Sequence, residues 1–388
     1  METSIIDSSA IIISISLLII LAPFLSKVTF LPIVVVEIVL GALGGYFGFF
    51  EESEILSLIA HVGFLYLMFL AGMEVDLHNF KMGQGSLLKR TVVYFVMLYT
   101  LSFVAYLYFD LSAVYLVAFP IFSLGILMAL VKEYGKDEAW LSLALNIGII
   151  GELVSILAIT ILSGGLEYGY NMQFLLTMLW LVLFLAVFIL VFKGARVLFW
   201  WFPGLKLIIM PYRDTKDTDI RLSMSLMFIM VAVMLIIRID AVLGAFLAGL
   251  FITTFFKHKT ELPKKLSSFG FGFLVPIFFI HVGSTLPINA FVDKEVLSHA
   301  LFIASAIVTI RLISSLVAYR GYLGFKNTIL FSLSDSMPLT FLVAIATLGL
   351  HAKAISPTEY YAFVVASMLS AVVLMVVIKI LHRFFKPA

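Results

Sequence analysis

The chain has no cysteine. That excludes a disulfide framework, thiolate metal sites and a cysteine nucleophile. It is also poor in charge. Asp, Glu, Lys and Arg together make up 12% of its residues, whereas a soluble domain carries about 25%. The net charge of +2 gives no electrostatic case for nucleic-acid binding. In place of charge there is hydrocarbon: 63% of the 388 residues are hydrophobic, with a mean hydropathy of +1.16. That much apolar surface requires a bilayer as solvent. No signal peptide is expected either. Glu2 and Asp7, not a basic region, precede the first apolar run from Ile11 to Leu25, and no small-residue cleavage site stands out. This run reads as a retained membrane helix.

A hydrocarbon core of roughly 30 Å needs about 20 apolar residues. About thirteen such runs are expected, over 9–26, 29–48, 54–74, 88–109, 112–132, 139–163, 173–195, 220–237, 239–256, 267–287, 296–318, 326–349 and 358–381. Loops after odd-numbered runs collect the basic residues: Lys27; Lys81, Lys89 and Arg90; Lys132 and Lys136; Lys193 to Lys216; Lys257 to Lys265; Arg320 and Lys326; and the tail with Arg383 and Lys386. Loops after even-numbered runs are poor in them. Positive charge stays on the cytoplasmic side, so the N-terminus is expected outside and the C-terminus in the cytoplasm.

Two runs are interrupted. The fifth contains Ala118-Phe119-Pro120-Ile121-Phe122-Ser123, and the twelfth Ser334-Asp335-Ser336-Met337-Pro338-Leu339-Thr340. A mid-membrane proline removes a donor and frees a carbonyl. Such backbone is tolerated where it lines a polar cavity, and paired interruptions point to a site between inverted repeats. The expected division is therefore 1–87 (helices 1–3), a repeat over 88–165 (helices 4–6), 166–290 (helices 7–10) and a second repeat over 291–388 (helices 11–13). Helix 4 begins inside and helix 11 outside, as inversion requires.

Chemistry is expected where charge enters hydrocarbon. Glu152 lies mid-run in Ile147-Gly148-Ile149-Ile150-Gly151-Glu152-Leu153-Val154-Ser155. An ionised carboxylate there costs roughly 2.5–3.5 kcal/mol or more, so Glu152 is the first candidate for binding a cation or a proton. The bland alternative is a structural carboxylate neutralised by a neighbour. Ser155 shares its helix face, whereas Asn146 lies about 120° away. Asp335 is the second candidate, flanked by Ser334 and Ser336 with Thr340 nearby. These hydroxyls can cap loose half-helix ends, and the bland role for Asp335 is to neutralise a half-helix N-terminus. Arg311, deep in run 11, needs an anionic partner, and Glu152 or Asp335 could supply it. Glu37, Glu74 and Asp76 lie nearer helix ends or bends. His281 reads as a bundle histidine. Glycines 41, 44, 45, 244 and 249 allow close helix approach. The run set offers no His/Glu cluster and no Ser/His/Asp set at membrane depth, so an enzyme is not expected and no cofactor is implied.

Several segments, in order, resemble a known family. Leu31-Pro32-Ile33-Val34-Val35-Val36-Glu37-Ile38 with Gly41 and Gly44, Phe69-Leu70-Ala71-Gly72-Met73-Glu74-Val75-Asp76, Leu243-Gly244-Ala245-Phe246-Leu247-Ala248-Gly249-Leu250, and Pro276-Ile277-Phe278-Phe279 through Val282-Gly283 are similar to the membrane domain of the cation:proton antiporter superfamily, second branch, with its Kef-type and NapA-type members. The resemblance covers the whole chain. It implies an all-α polytopic membrane protein with two crossed interrupted helices, the NhaA-like fold. It implies elevator-like exchange of a monovalent cation, Na+ or K+, for protons, by a homodimer in the lipid of a prokaryotic inner membrane, serving pH homeostasis. Helices 1–3 and 7–10 would form the scaffold.

The family's helix-6 carboxylate falls on Glu152 and its helix-11 basic residue on Arg311, a gating ion pair. Ser123 and Asp335 fall on the crossed segments, and Glu152 and Asp335 would meet the cation. Two departures stand out: Gly151 replaces the usual polar residue, and Asp335-Ser336-Met337-Pro338-Leu339 replaces the Kef-type Gln-Gly-Gly-Glu-Phe. Exchange of one cation for one proton is expected. The competing readings are a cation-coupled anion symporter centred on Arg311, and a channel.

Overall fold

A computed structural model of the chain describes residues 2–29, 31–49, 54–74, 85–135, 138–169, 171–211, 217–256 and 259–385. Asp76 lies outside them, as do Lys81, Lys136 and several other loop cations of the orientation argument. The structure is all-helical, and nine of the described helices are long and apolar enough to cross a membrane. Three shorter apolar helices, Ile33–Tyr46, Ala241–Phe255 and Leu339–His351, accompany them. The chain divides into two compact units, 1–79 with 167–287 and 80–166 with 288–388.

The first unit holds α1 (Glu2–Thr29), α2 (Ile33–Tyr46) and α3 (Glu54–Glu74). The second opens with α4 (Gly85–Tyr108), α5 (Ala113–Ala118), α6 (Leu124–Tyr134) and α7 (Ala139–Tyr168). The chain then returns to the first unit with α8 (Met172–Trp201), α9 (Pro203–Ile209), α10 (Thr218–Ile236), α11 (Ala241–Phe255), α12 (Leu262–Phe269) and α13 (Val275–Ser284). It ends in the second with α14 (Lys294–Asp335), α15 (Leu339–His351) and α16 (Pro357–Phe385).

In the first unit, α11 packs on α3 and α13 on α2 through glycines. A Cβ at Gly72 would strike the carbonyl of Phe246, and one at Gly249 the carbonyl of Phe69. Gly41 and Gly283 meet the facing backbone of α13 and α2 in the same reciprocal way. In lipid, helices associate by close van der Waals packing rather than by hydrophobic expulsion, so these contacts hold the unit together. Glu37 lies buried in this packing, one turn before Gly41 on α2, and not at an exposed helix end. His281 sits on α13. Between α12 and α13 the chain makes a five-residue π-helical turn, Gly270–Leu274, just before Pro276. A widened turn accommodates the donor that proline lacks. α8 has a different character: of its 30 residues only Thr177, Leu181, Phe188 and Phe199 are buried.

The second unit carries both interruptions. Residues 119–123 separate α5 from α6, and residues 336–338 separate α14 from α15. Pro120 lies in the first gap and Pro338 is the N-cap of α15. One expected loop is replaced. α14 runs for 42 residues, and its two parts join at Gly324, whose φ of 75° and ψ of 169° suit a residue without Cβ. The part after Gly324 is the half-helix that ends at Asp335.

Candidate functional site

Glu152, Ser155, Ser123, Arg311, Ser334, Asp335, Ser336 and Thr340 all lie in the second unit, whereas Glu37 and His281 lie in the first. α7 presents Glu152 and Ser155, both buried, to the first gap. The Ser155 hydroxyl accepts a hydrogen bond from the Phe122 amide at 2.8 Å. The Glu152 carboxylate accepts from the Leu124 amide at 3.4 Å. Leu124 is the first residue of α6, and the N-cap Ser123 makes no side-chain cap there. A half-helix N-terminus thus meets the carboxylate, and its exposed amides and dipole favour negative charge.

Ser123 is committed elsewhere. Its hydroxyl lies 2.6 Å from that of Thr340, in the first turn of α15. This bond joins the two interruptions. Ser334 and Ser336 do not cap a loose end as expected. Their hydroxyls donate back to the carbonyls of Phe331 and Ser332 in the preceding turn.

Arg311 selects Asp335. Nη1 donates to Asp335 Oδ2 at 2.8 Å, and both side chains are buried. Nη2 donates to the carbonyl of Ile121 in the first gap. Asp335 is the last residue of α14, so it lies at a half-helix C-terminus and cannot neutralise an N-terminus as the bland reading had it. The arginine satisfies both that carboxylate and a carbonyl freed by the first interruption.

Two residues of this cluster do not stand out in the sequence. Tyr94 on α4 is fully buried, and its hydroxyl donates to the same Asp335 Oδ2 at 2.5 Å. Its ring packs on Phe122, Tyr319 and Phe331. Tyr94 was one tyrosine among fifteen. Phe122 is the other. The Arg311 guanidinium stands 4.6 Å from its ring centroid, within cation–π range. The same ring lies against Gly151, where any Cβ would collide with it. The missing polar residue before Glu152 therefore has a steric explanation: an aromatic ring occupies its space. Asn146 is half-buried on α7.

The arrangement offers one carboxylate beside a half-helix N-terminus and a hydroxyl, next to a buried, neutralised Arg–Asp–Tyr cluster. Such a carboxylate can exchange a proton for a small cation, which is a transport chemistry. Comparison with known proteins agrees. The family described as "Sodium/hydrogen exchanger, transmembrane" matches residues 13–383.

The chain belongs to that family.

Among relatives of this chain, the "Putative Na(+)/H(+) antiporter YjbQ" of Bacillus subtilis is 27% identical over 379 residues, which is 91% of this chain. The chain spans only 59% of that relative's length. The "Probable Na(+)/H(+) antiporter 3" of Methanocaldococcus jannaschii is also 27% identical, with 93% of each chain covered. The "Na(+)/H(+)-K(+) antiporter GerN" of Bacillus cereus is 24% identical over 66% of this chain. In fold, the chain is similar to the solved sodium proton antiporter MjNhaP1 from Methanocaldococcus jannaschii, with a TM-score of 0.67, 15% identity and 96% of each chain covered.

Proposed function

We propose that this exchanger moves Na+ in one direction and H+ in the other, with Glu152 as the group for which they compete. Membership of the family over residues 13–383 carries the reading, supported by the buried Glu152 at the α6 N-terminus. K+ is a second candidate cation, as in the name of the Bacillus cereus relative. Anion symport finds no support among the relatives, and two Arg311 nitrogens already serve Asp335 and Ile121.

The mechanism follows from charge. A cation binds the ionised carboxylate, whereas a proton neutralises it. A bare carboxylate does not cross a low-dielectric barrier, so Glu152 moves only with one or the other bound. Ser155 and backbone oxygens of the first gap would complete a cation's shell. Asp335 is reassigned from ion ligand to fixed counter-charge, because Arg311 and Tyr94 already hold it. The Arg311–Asp335 pair adds no net charge, which leaves one proton per monovalent cation and electroneutral exchange. Alternating access is elevator-like: the second unit carries the site and the first serves as scaffold and dimer contact. With α5 and α6 taken as one interrupted crossing, the half-helix after Gly324 and α15 as the other, and α2, α11 and the part of α14 before Gly324 added to the eight other long helices, the chain would cross thirteen times, with the N-terminus outside and the C-terminus cytoplasmic in a prokaryotic inner membrane. The motifs favour the superfamily's second branch, and a role in pH homeostasis follows from the exchange.

The test uses purified protein in liposomes with a trapped pH dye. Addition of Na+, K+ or Li+ to wild type should dissipate an imposed pH gradient, and Glu152→Gln should abolish that response. A Glu152→Gln variant that still exchanges, or a rate and reversal point that follow membrane potential, contradicts the proposal.

A further inference from the structure

We infer that Phe122 is a positioning residue that keeps the Arg311 guanidinium on Asp335 and away from the Glu152 carboxylate. The inference rests on the reading of Glu152 as the exchanging group.

The observations concern one ring and its neighbours. Phe122 is buried in the gap between α5 and α6. Its backbone is anchored from below, since its amide donates to Ser155 one turn beyond Glu152. Its ring lies against Gly151, the residue immediately before Glu152. It also stands beneath the guanidinium of Arg311, 4.6 Å from centroid to Cζ. It is held laterally by Tyr94 and Phe95, at 6.4 and 5.4 Å between centroids. The ring therefore touches both the backbone that carries the carboxylate and the cation that could neutralise it.

Chemistry gives this contact a purpose. An arginine cannot be deprotonated in a protein. If it reached Glu152, it would compete permanently with the transported cation. An opposite charge within about 4–6 Å also lowers a carboxylate's pKa by about 1–3 units. Asp335, itself held by the Tyr94 hydroxyl, and the Ile121 carbonyl draw the guanidinium one way. The Phe122 ring fills the space beside Gly151, next to the residue that carries the carboxylate, and gives the cation a favourable face to rest on. The titratable and charged groups around the cluster are Tyr94 and Tyr99 on α4, Arg311, Tyr319 and Asp335 on α14, and Glu152 on α7. Among the described residues, α5, α6 and α15 add only hydroxyls and apolar side chains at this level.

The experiment is a Na+ titration of exchange at several pH values in proteoliposomes, with wild type, Phe122→Ala, Phe122→Val, Phe122→Leu and Glu152→Gln. Truncation to Ala should raise the half-saturating Na+ about tenfold and move the pH of half-maximal exchange down by about one unit. The sign follows because a nearer cation stabilises ionised Glu152 and repels Na+. Val should shift both in the same direction by less. Leu keeps the apolar spacer and should restore values near wild type. Unshifted profiles in folded Ala or Val variants overturn the inference, as does a Leu variant shifted as far as Ala. If Ala does not fold, Val decides. Loss of exchange in Glu152→Gln alongside unshifted Phe122 variants defeats only this inference, whereas exchange that survives Glu152→Gln defeats the functional reading beneath it.

Discussion

Arg311 Nη1 and Asp335 Oδ2 lie 2.8 Å apart, both side chains buried, with the Tyr94 hydroxyl on the same oxygen. Removing one member of such a pair strands a buried charge, whereas removing both does not. Asp335→Asn or Arg311→Met alone should lower stability by about 3–5 kcal/mol, and the double variant should recover most of it. Thermal unfolding in detergent measures this. A double variant no more stable than either single one contradicts the pairing.

The Ser123–Thr340 hydroxyl bond, at 2.6 Å, joins the two interruptions side chain to side chain. A double-mutant cycle with Ser123→Ala and Thr340→Val should return a coupling of about 0.5–1.5 kcal/mol. Additive effects of the two changes argue that the hydroxyls do not bond in the folded protein.

Packing in the first unit makes a separate prediction. Gly72→Leu would drive a side chain into the backbone of α11, where the obstacle is a carbonyl and not a flexible side chain. Overpacking costs about 1–3 kcal/mol even where neighbours can shift, and more is expected here. The variant should lose folded yield in size-exclusion chromatography while Gly194→Leu, with nothing near its Cβ position, does not. Equal yields contradict the close approach of α3 and α11.

Much of the second unit was legible because its signals are local. Pro120 and Pro338 break apolar runs, and Glu152, Arg311 and Asp335 are conspicuous for their charge alone. Partner choice was not legible. Arg311 had two carboxylates available, and only the packed structure selects Asp335. Tyr94 and Phe122 were hidden by abundance, among 15 tyrosines and 37 phenylalanines. A weak clue to Phe122 existed in its adjacency to Ser123, together with a glycine before Glu152 that leaves room for a ring. The Gly324 junction was missed because helical geometry resumes directly after a single positive-φ residue. The hydroxyls of Ser334 and Ser336 suit capping by residue type, yet each finds a nearer carbonyl in the preceding turn.

The joints of the second unit also set an order of assembly during synthesis. Arg311 and Asp335 are only 24 residues apart, so each charge can meet its opposite soon after both emerge. Ile121, Ser123 and Tyr94 wait far longer, because their partners lie 190, 217 and 241 residues downstream. The first interrupted helix must therefore sit in the membrane with its freed carbonyl unanswered by Arg311 while the whole of the first unit's second half is made. The polar crossing closes only after Arg311, Asp335 and Thr340 have been made, and a nascent chain halted before Arg311 carries a half-built site.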